Sequence, residues 1–168
     1  MRRLLQAQSE VLVDADPYYL FDIVADPIQW ANLPAGTVAT PHGFGPAGQG
    51  ARFTEIYRLT EHPSAPVEWP VTWRVDSYRR PYLWAVGAQT SVPREFGGFP
   101  VMMTVLYSVN ISADGVPCLR RSMVTAVDPS ARLSRELLDV FTGTALHLEI
   151  LGRIRHRAER RSAARYQR

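Results

Sequence analysis

The feature that most constrains this chain is a run of strict alternation between residues 67 and 77. Every second position is a large apolar residue, and the positions between them are mostly polar or charged; the apolar set is Val67, Trp69, Val71, Trp73 and Val75. Side chains of a strand point to alternate faces, so this pattern predicts a strand with one buried and one solvated face. Such a strand requires a sheet whose apolar face is covered by a second layer.

The same pattern predicts further strands at residues 10–14, 51–59, 82–89, 101–111 and 116–127. The last two are separated by Asp114–Gly115, which is among the strongest short-range signals for a hairpin. Residues 34–50 carry three prolines and five glycines, and residues 91–100 carry two of each, so both segments are predicted to be loops. The middle of the chain is therefore interpreted as an antiparallel meander.

Three Asp-Pro pairs predict helix starts, because aspartate caps a helix and proline fits its first turn. Asp16–Pro17 and Asp26–Pro27 precede short helices, and Asp128–Pro129 precedes a proline-free stretch that ends at about Arg161. Gly143 within this stretch indicates a bend or a close approach. We predict one long helix with an apolar stripe. The stripe contains Leu133, Leu137, Val140, Thr144, Leu148 and Leu151, with Phe141 and Ala145 on its flank.

The order of these elements predicts an α+β fold: a strand, two short helices, an antiparallel meander and a long C-terminal helix. A strongly curved sheet wrapped around one helix leaves space that the helix cannot fill. We therefore expect an apolar cavity between sheet and helix. Because no repeat or shift in composition divides the chain, residues 1–168 are interpreted as a single domain with its core at about residues 8–161.

Composition limits the class of protein. The 168 residues, 46% of them apolar, are enough for a sizeable core, but no apolar run approaches the roughly 18–20 residues of a membrane span. Cys118 is the only cysteine, which excludes an internal disulfide and a cysteine-based zinc site. We expect a soluble protein of the reducing cytoplasm. No metal-ligand spacing, phosphate loop or dinucleotide fingerprint occurs, so neither a metal nor a cofactor is predicted.

The basic charge of the chain is concentrated at its C-terminal end. Residues 153–168 hold seven arginines and one acid, whereas the remainder carries twelve arginines and fifteen acids. This end could bind phosphates or an anionic membrane surface, or it could be a solvated helix end that complements the helix dipole. Aromatic platforms for nucleic acid are lacking there, so no nucleic-acid partner is predicted.

Several segments match a known family in their order and spacing. They are residues 9–17, residues 20–26, Trp30, residues 48–53, the turns at Arg80–Pro81 and Asp114–Gly115, and the long final helix. This order resembles the helix-grip fold of the START-like (SRPBCC) superfamily, and within it the bacterial polyketide cyclase/dehydrase group. The resemblance implies that an internal cavity binds a hydrophobic, polyketide-derived or aromatic molecule and promotes its cyclisation and dehydration. A non-catalytic carrier or sensor is the alternative, and a homodimer is compatible with either.

Aromatic residues dominate the face that would line this cavity. The predicted ligand-binding set takes in sheet and helix positions: Phe53, Trp69, Trp73, Trp84, Met103, Tyr107, Phe141, Thr144 and Leu148. Alternation places Tyr82 on the same face as Trp84. Aromatic rings offer a large apolar area and stacking geometry to a polycyclic ligand. The alternative is that these side chains only fill the core.

Four residues are candidates for acid–base chemistry: Glu55, Tyr57, Arg121 and His147. Glu55 shares the parity of Tyr57, and a carboxyl group on the cavity face would have the raised pKa that suits a general acid or base. It could instead lie at a bulge or at an exposed mouth. Only one of Arg120 and Arg121 can face inward, and parity favours Arg121, which could hold an enolate or carboxylate. His147 lies beside the helix stripe and could shuttle a proton or be an ordinary interface residue.

Overall fold

The computed structural model describes residues 1–30, 38–41, 48–62 and 66–165. Its strands are β1 (Arg3–Leu12), β2 (Val38–Pro41), β3 (Arg52–Leu59), β4 (Val67–Arg79), β5 (Leu83–Ser91), β6 (Pro100–Ile111) and β7 (Pro117–Val127). The α-helices are α1 (Pro17–Val24), α2 (Pro27–Trp30), α3 (Arg135–Thr142) and α4 (Thr144–Arg165). The seven strands form one antiparallel sheet in the order β1-β7-β6-β5-β4-β3-β2.

The helices cover one face of this curved sheet. Helix α4 packs against β1 and β7, α3 packs against the same two strands, and α1 and α2 pack against α4. The result is the α+β arrangement that the order of elements predicted, in which the curved sheet packs around the terminal helices. None of the helices in the described ranges has the length and hydrophobicity needed to cross a bilayer.

The alternation in the sequence determines which face of the sheet is buried. In β4 the buried residues are Trp69, Val71, Trp73 and Val75, and their neighbours in the strand are exposed. The register against β5 shifts between Val75 and Ser77, where the strand contains a bulge. In β7 buried and half-buried residues alternate along the whole strand. The prediction of one apolar face is confirmed for β4 and β7, whereas β5 buries three consecutive residues, Trp84, Ala85 and Val86.

Two of the three predicted helix starts and the hairpin turn are confirmed, but the helix start predicted at Asp128–Pro129 is wrong. The Asp128 side chain accepts hydrogen bonds from Ser130 in a local turn, and α3 begins only at Arg135, where the Ser134 side chain caps it. Leu133, which we expected on the helix stripe, therefore precedes the helix.

The Asp16 side chain accepts a hydrogen bond of 2.9 Å from the backbone N–H of Tyr19, which satisfies a donor at the start of α1. Asp114–Gly115 lies in the hairpin between β6 and β7, and Gly115 has φ 78°, a left-handed conformation that glycine adopts without steric cost.

The first strand is longer than predicted. We expected residues 10–14, whereas β1 pairs with β7 from Arg3, opposite Val127, to Leu12, opposite Cys118. The strand extends further than its sequence pattern because β1, at the edge of the sheet, is stabilised by backbone hydrogen bonds to β7 along its whole length. Its outward residues are polar or exposed, so the alternation is weak there.

The predicted loop at residues 34–50 contains a short strand that the sequence did not indicate. Residues 38–41 form β2, which pairs antiparallel with β3. This pairing is a tertiary contact with a neighbour that supplies the hydrogen bonds, so local composition carries little signal for it. The parts of the loop at residues 34–37 and 42–47 lie outside the described residues.

The predicted single C-terminal helix is wrong at Gly143, where α3 ends and α4 follows at once. Gly143 has extended ψ of 110°, and a Cβ at this position would lie 2.3 Å from the carbonyl oxygen of Asp139. The break changes the phase of the apolar stripe. Thr144 and Leu148, which we expected to face inward, are exposed, and Leu148 retains 48% of its accessible surface. The buried residues of the two helices are Leu137, Phe141, His147, Ile150, Leu151, Ile154 and Ala158.

Candidate functional site

Polar side chains from three strands and one helix lie on the inner face of the fold. Glu55 and Tyr57 come from β3, Tyr107 from β6, Arg121 from β7 and His147 from α4, and all five are buried. Three other strands separate β3 from β7 in the sheet, yet the charge of Arg121 opposes the rise in the pKa of Tyr57 that burial causes. The curvature of the sheet therefore brings these residues, which are distant along it, to a common interior region.

Glu55 is held by two aromatic residues. Its Oε2 atom accepts a hydrogen bond of 2.7 Å from the hydroxyl of Tyr57 and one of 2.9 Å from the indole N–H of Trp73. Tyr57 lies two residues after Glu55 on β3. Trp73 on β4 pairs with Phe53, two residues before Glu55, so the strand register places both donors beside Glu55. Two donors on one oxygen fix the orientation of this carboxyl group. The sequence predicted Glu55 on the inner face, and the structure places it there rather than at an exposed mouth.

Arg121 is the second charged residue of the interior. It is 5% exposed, and its Nε donates a hydrogen bond of 2.9 Å to the hydroxyl of Tyr107, which lies opposite it on β6. Burial lowers the pKa of Arg121, but Tyr107 and Tyr57 outweigh this effect and the net pKa is raised, so the guanidinium stays charged. Its neighbour Arg120 points outward and forms an ion pair of 2.8 Å with Glu10. The parity argument for Arg121 is therefore correct.

Both buried phenols remain protonated at neutral pH. Burial raises the pKa of Tyr57 well above its ordinary value, and the negative charge of Glu55 acts in the same direction. Burial also raises the pKa of Tyr107, although the charge of Arg121 opposes the shift. Tyr57 is consequently a hydrogen-bond donor to Glu55 rather than a base.

His147 lies in the centre of the buried face of α4, with 0% exposure, and not on its flank as the uninterrupted helix predicted. Burial lowers its pKa to about 3; the positive charge of Arg121 adds to this shift and the nearby Arg121 backbone opposes it. The imidazole is therefore neutral at physiological pH, and the titration near neutrality that we expected of a proton shuttle does not occur. The neutral ring still offers one donor and one acceptor.

Several buried polar atoms of the inner face have no hydrogen-bond partner among the described residues. They are Nε1 of Trp69, Nη1 of Arg121, Oγ1 of Thr125 and both ring nitrogens of His147. A buried donor or acceptor without a partner costs about 1–3 kcal/mol, so native proteins leave few of them unsatisfied. Sequence reasoning missed Thr125, although it shares the inward parity of Arg121 on β7. These atoms are concentrated on the surfaces that face each other between sheet and helix.

Aromatic rings surround this polar group. Trp84 stacks on Phe53 with ring centroids 5.9 Å apart and lies 5.8 Å from Tyr107, and Trp69 meets Phe141 edge to face at 6.2 Å. The predicted lining residues on the sheet and on α3 are all buried: Phe53, Trp69, Trp73, Trp84, Met103, Tyr107 and Phe141. Thr144, Leu148 and also Tyr82, which is 63% exposed in the turn before β5, are not brought to the interior.

The polar atoms of the interior that have no partner among the described residues belong to side chains that can donate hydrogen bonds. Within the described ranges, no three histidine, cysteine, aspartate or glutamate side chains gather as metal ligands would. The donors that face the interior are instead a guanidinium, an indole, a hydroxyl and a neutral imidazole. Such donors hold oxygen atoms of an organic molecule, and the aromatic rings around them offer it an apolar surface.

In sequence comparisons, no family model and no curated protein matches this chain. Solved structures do resemble it. A point mutant of norcoclaurine synthase from Thalictrum flavum, solved with a transition-state analogue, has 13% identity and a TM-score of 0.69 over 96% of this chain and 98% of that one. The protein Ara h 8.0201 has 14% identity and a TM-score of 0.63 over 93% of this chain and 98% of that one.

A third neighbour is the major latex-like protein 151 from Panax ginseng, with 10% identity and a TM-score of 0.64 over 92% of this chain and 97% of that one. All three have the helix-grip fold, and this chain has the same fold, as the resemblance in its sequence predicted. Identities this low establish the fold alone.

Proposed function

We propose that the chain binds an apolar, oxygen-bearing small molecule in the interior between its sheet and its terminal helices, and promotes cyclisation and dehydration of that molecule. The substrate class is a polyketide-derived or aromatic compound. The observation that carries this proposal is a set of buried polar atoms on an otherwise apolar, aromatic-rich inner face that have no partner among the described residues; they belong to Trp69, Arg121, Thr125 and His147.

The chemistry of these atoms supports an acceptor-rich ligand. Nη1 of Arg121 and Nε1 of Trp69 can only donate, whereas the hydroxyl of Thr125 and the neutral imidazole of His147 can donate or accept. A ligand that completes this set carries oxygen acceptors at more than one point on its skeleton. Ketone and enolate oxygens meet this requirement, while the aromatic rings supply surface for the carbon skeleton. A plain hydrocarbon would leave the donors unsatisfied.

The arrangement also suggests how cyclisation would proceed. Glu55 takes a proton from the carbon between two ketones, and the guanidinium of Arg121 stabilises the enolate oxygen that forms. The enolate carbon then bonds to a second carbonyl carbon, and the new alkoxide recovers the proton from Glu55. Loss of a further α-proton with departure of hydroxide gives water and a carbon–carbon double bond. Positioning of the two reacting carbons contributes up to about 7–11 kcal/mol in ideal cases.

The residues beside Glu55 and Arg121 have supporting roles in this scheme. Tyr57 and Trp73 orient Glu55 through their hydrogen bonds to Oε2, and Tyr107 orients Arg121. His147 acts as a neutral hydrogen-bonding group, because its lowered pKa of about 3 leaves no imidazolium at physiological pH. Activity that depended on an imidazolium would therefore require acid conditions.

A synthetic poly-β-ketone presented as an N-acetylcysteamine thioester tests the proposal. We expect the protein to accelerate ring closure and to narrow the product distribution relative to the spontaneous reaction, measured by absorbance and chromatography. Glu55→Gln and Arg121→Gln should each reduce the acceleration about 100-fold, as expected for loss of a general base or an oxyanion donor. Arg120→Gln is the matched control, because this neighbouring side chain points outward. Unchanged products in both interior variants would refute the acid–base scheme.

A non-catalytic carrier is the second candidate. The lowered pKa of His147 favours the carrier, because the imidazole does not titrate near neutral pH. Of the four predicted catalytic residues, this leaves Glu55 as the one candidate for a general base. A carrier needs only the aromatic face and the donors. The two functions are separated by incubating the thioester with excess protein: recovery of the unaltered compound, bound with an affinity that falls in Arg121→Gln, supports the carrier.

A further inference from the structure

A groove of about 490 Å³ lies on the opposite, outer face of the sheet, over β4, β5 and β6. Its lining includes Arg52, Arg74, Asp76, Gln89 and Met102, whose side chains are exposed, whereas the candidate site above uses the buried face. A volume of this size is within the range of ordinary small-molecule sites, about 300–1,000 Å³. The exposed side chains of the groove lie on the outer face, and the buried residues Trp73 and Met103 also border it from below.

The positive charge in this groove is not fully balanced. Arg52 on β3 lies directly opposite Arg74 on β4, an arrangement that is normally unfavourable because like charges repel across a strand pair. Arg74 is compensated by Asp76, to which its Nη2 makes a contact of 2.7 Å. For Arg52, no carboxylate partner is found within the described parts of the chain. The groove consequently holds one neutral ion pair and one uncompensated guanidinium.

Two features of the backbone shape the groove. The bulge in β4 between Val75 and Ser77 turns the Asp76 side chain over the neighbouring strand β5. There it lies above Gly87, where an added Cβ would be 2.4 Å from Oδ2 of Asp76. Bulges commonly re-aim a side chain in this way beside a binding site. Because Gly87 has no side chain, the Arg74–Asp76 pair can lie low against the sheet and leave Arg52 facing an open hollow.

The lining beyond Arg52 is suited to an apolar body. Met102 lies beside the groove with 40% of its surface exposed, and its flexible thioether adapts to irregular shapes. Gln89, directly opposite Met102 on β5, adds a neutral amide. We propose that this groove is a second ligand site that takes an amphipathic monoanion, with its carboxylate or phosphate on Arg52 and its apolar chain along Met102.

Calorimetric titration of the full chain with decanoate, below its micelle concentration and at low salt, tests this site. Arg52→Gln should weaken decanoate binding about tenfold, because it removes a charge-assisted hydrogen bond. The matched control is Arg58→Gln on the same strand, which loses an equal charge from an exposed pair with Glu68 outside the groove. This control should change the affinity less than about twofold.

Two further probes separate the contributions of charge and chain. Decanol has the chain without the charge and acetate has the charge without the chain, and both should bind more weakly than decanoate. Met102→Ser should weaken decanoate and leave acetate unchanged. Equal binding of decanoate to the wild type and to Arg52→Gln, or equal binding of decanol and decanoate, would overturn the proposal. Arg121→Gln leaves the outer groove unchanged. If this variant weakened decanoate binding, decanoate would be bound in the interior and the proposal of an outer site would be wrong.

Discussion

Arg121 and Tyr107 lie opposite each other on neighbouring strands, and the guanidinium Nε donates a hydrogen bond of 2.9 Å to the phenol oxygen. The guanidinium carbon is also 5.6 Å from the centroid of the Tyr107 ring. One nitrogen of the guanidinium is thus satisfied by the protein, while Nη1 has no partner among the described residues. Tyr107 therefore orients a buried charge that leaves Nη1 able to donate to a ligand.

Removal of the phenol oxygen tests this orientation. Tyr107→Phe leaves Nε of Arg121 buried without its acceptor, so we expect the free energy of unfolding to fall by about 1–3 kcal/mol in urea titrations. Tyr82→Phe is the control, because Tyr82 is 63% exposed and its change should stay within about 0.5 kcal/mol. Equal stability of the two variants would show that the Arg121–Tyr107 bond contributes nothing.

The stability of the protein should depend on His147 between pH 7 and pH 5. The native pKa of about 3 is below the ordinary 6.5, so the unfolded state takes up a proton in this range and the native state does not. The contribution of the neutral imidazole to stability is nearly complete at pH 7 and is lost on acidification, by about 2 kcal/mol at pH 5. His147→Gln should remove most of this slope, measured by urea unfolding at several pH values.

His156→Gln is the matched control for the pH experiment, since His156 is exposed on the same helix. Its pH dependence should match that of the wild type. If His147→Gln retained the full slope, the buried imidazole would not be the group that takes up the proton on unfolding.

Two glycines of the terminal helices should respond in opposite directions to alanine. Gly143→Ala places a Cβ 2.3 Å from the Asp139 carbonyl oxygen and should destabilise the protein by more than about 1 kcal/mol. Gly152→Ala lies within α4, meets no atom within 4 Å and should stabilise by about 0.4–1 kcal/mol. Thermal unfolding checks both, and stabilisation by Gly143→Ala would contradict the break between the helices.

Thr125 should show a conflict between stability and binding. Its buried hydroxyl has no partner among the described residues, so Thr125→Val removes an unsatisfied group at nearly constant volume. We expect the ligand-free variant to be more stable by about 1 kcal/mol and to bind the poly-β-ketone thioester more weakly. Thr104→Val, on the exposed face of β6, should leave binding unchanged. If Thr125→Val were less stable and bound the thioester normally, the hydroxyl would have a hydrogen-bond partner within the protein, and the prediction would be wrong.

Period-two patterns placed the residues of β3, β4 and β7 on the correct face, but they failed for Tyr82, which lies in the turn before β5 and is exposed. Glu55 and Arg121 were both predicted to be inward from parity alone, because the alternation of side chains is a property of each strand by itself. The helix positions were predicted less well. The inward placement of Thr144 and Leu148 assumed that the helical repeat continues without interruption through Gly143. A single non-helical residue changes the phase of this repeat, and the contact with Asp139 that requires it is visible only in the folded chain.

Contacts across the interior could not be obtained from the sequence. The influence of Arg121 on Tyr57 depends on the curvature of a sheet in which β3 and β7 are separated by three strands. The donation from Trp73 to Glu55 depends on the register between β3 and β4, and the lowered pKa of His147 depends on burial by all of these elements. Each of these is a property of long-range packing.

A crystal structure of the full chain soaked with a non-reactive poly-ether analogue of the thioester tests the central claim most directly. The account predicts the analogue between sheet and helices, with one oxygen within hydrogen-bond distance of Nη1 of Arg121 and another near Nε1 of Trp69. The account would be contradicted if the soaked crystals showed no analogue in this region, and protein side chains filled it and accepted hydrogen bonds from those two donors.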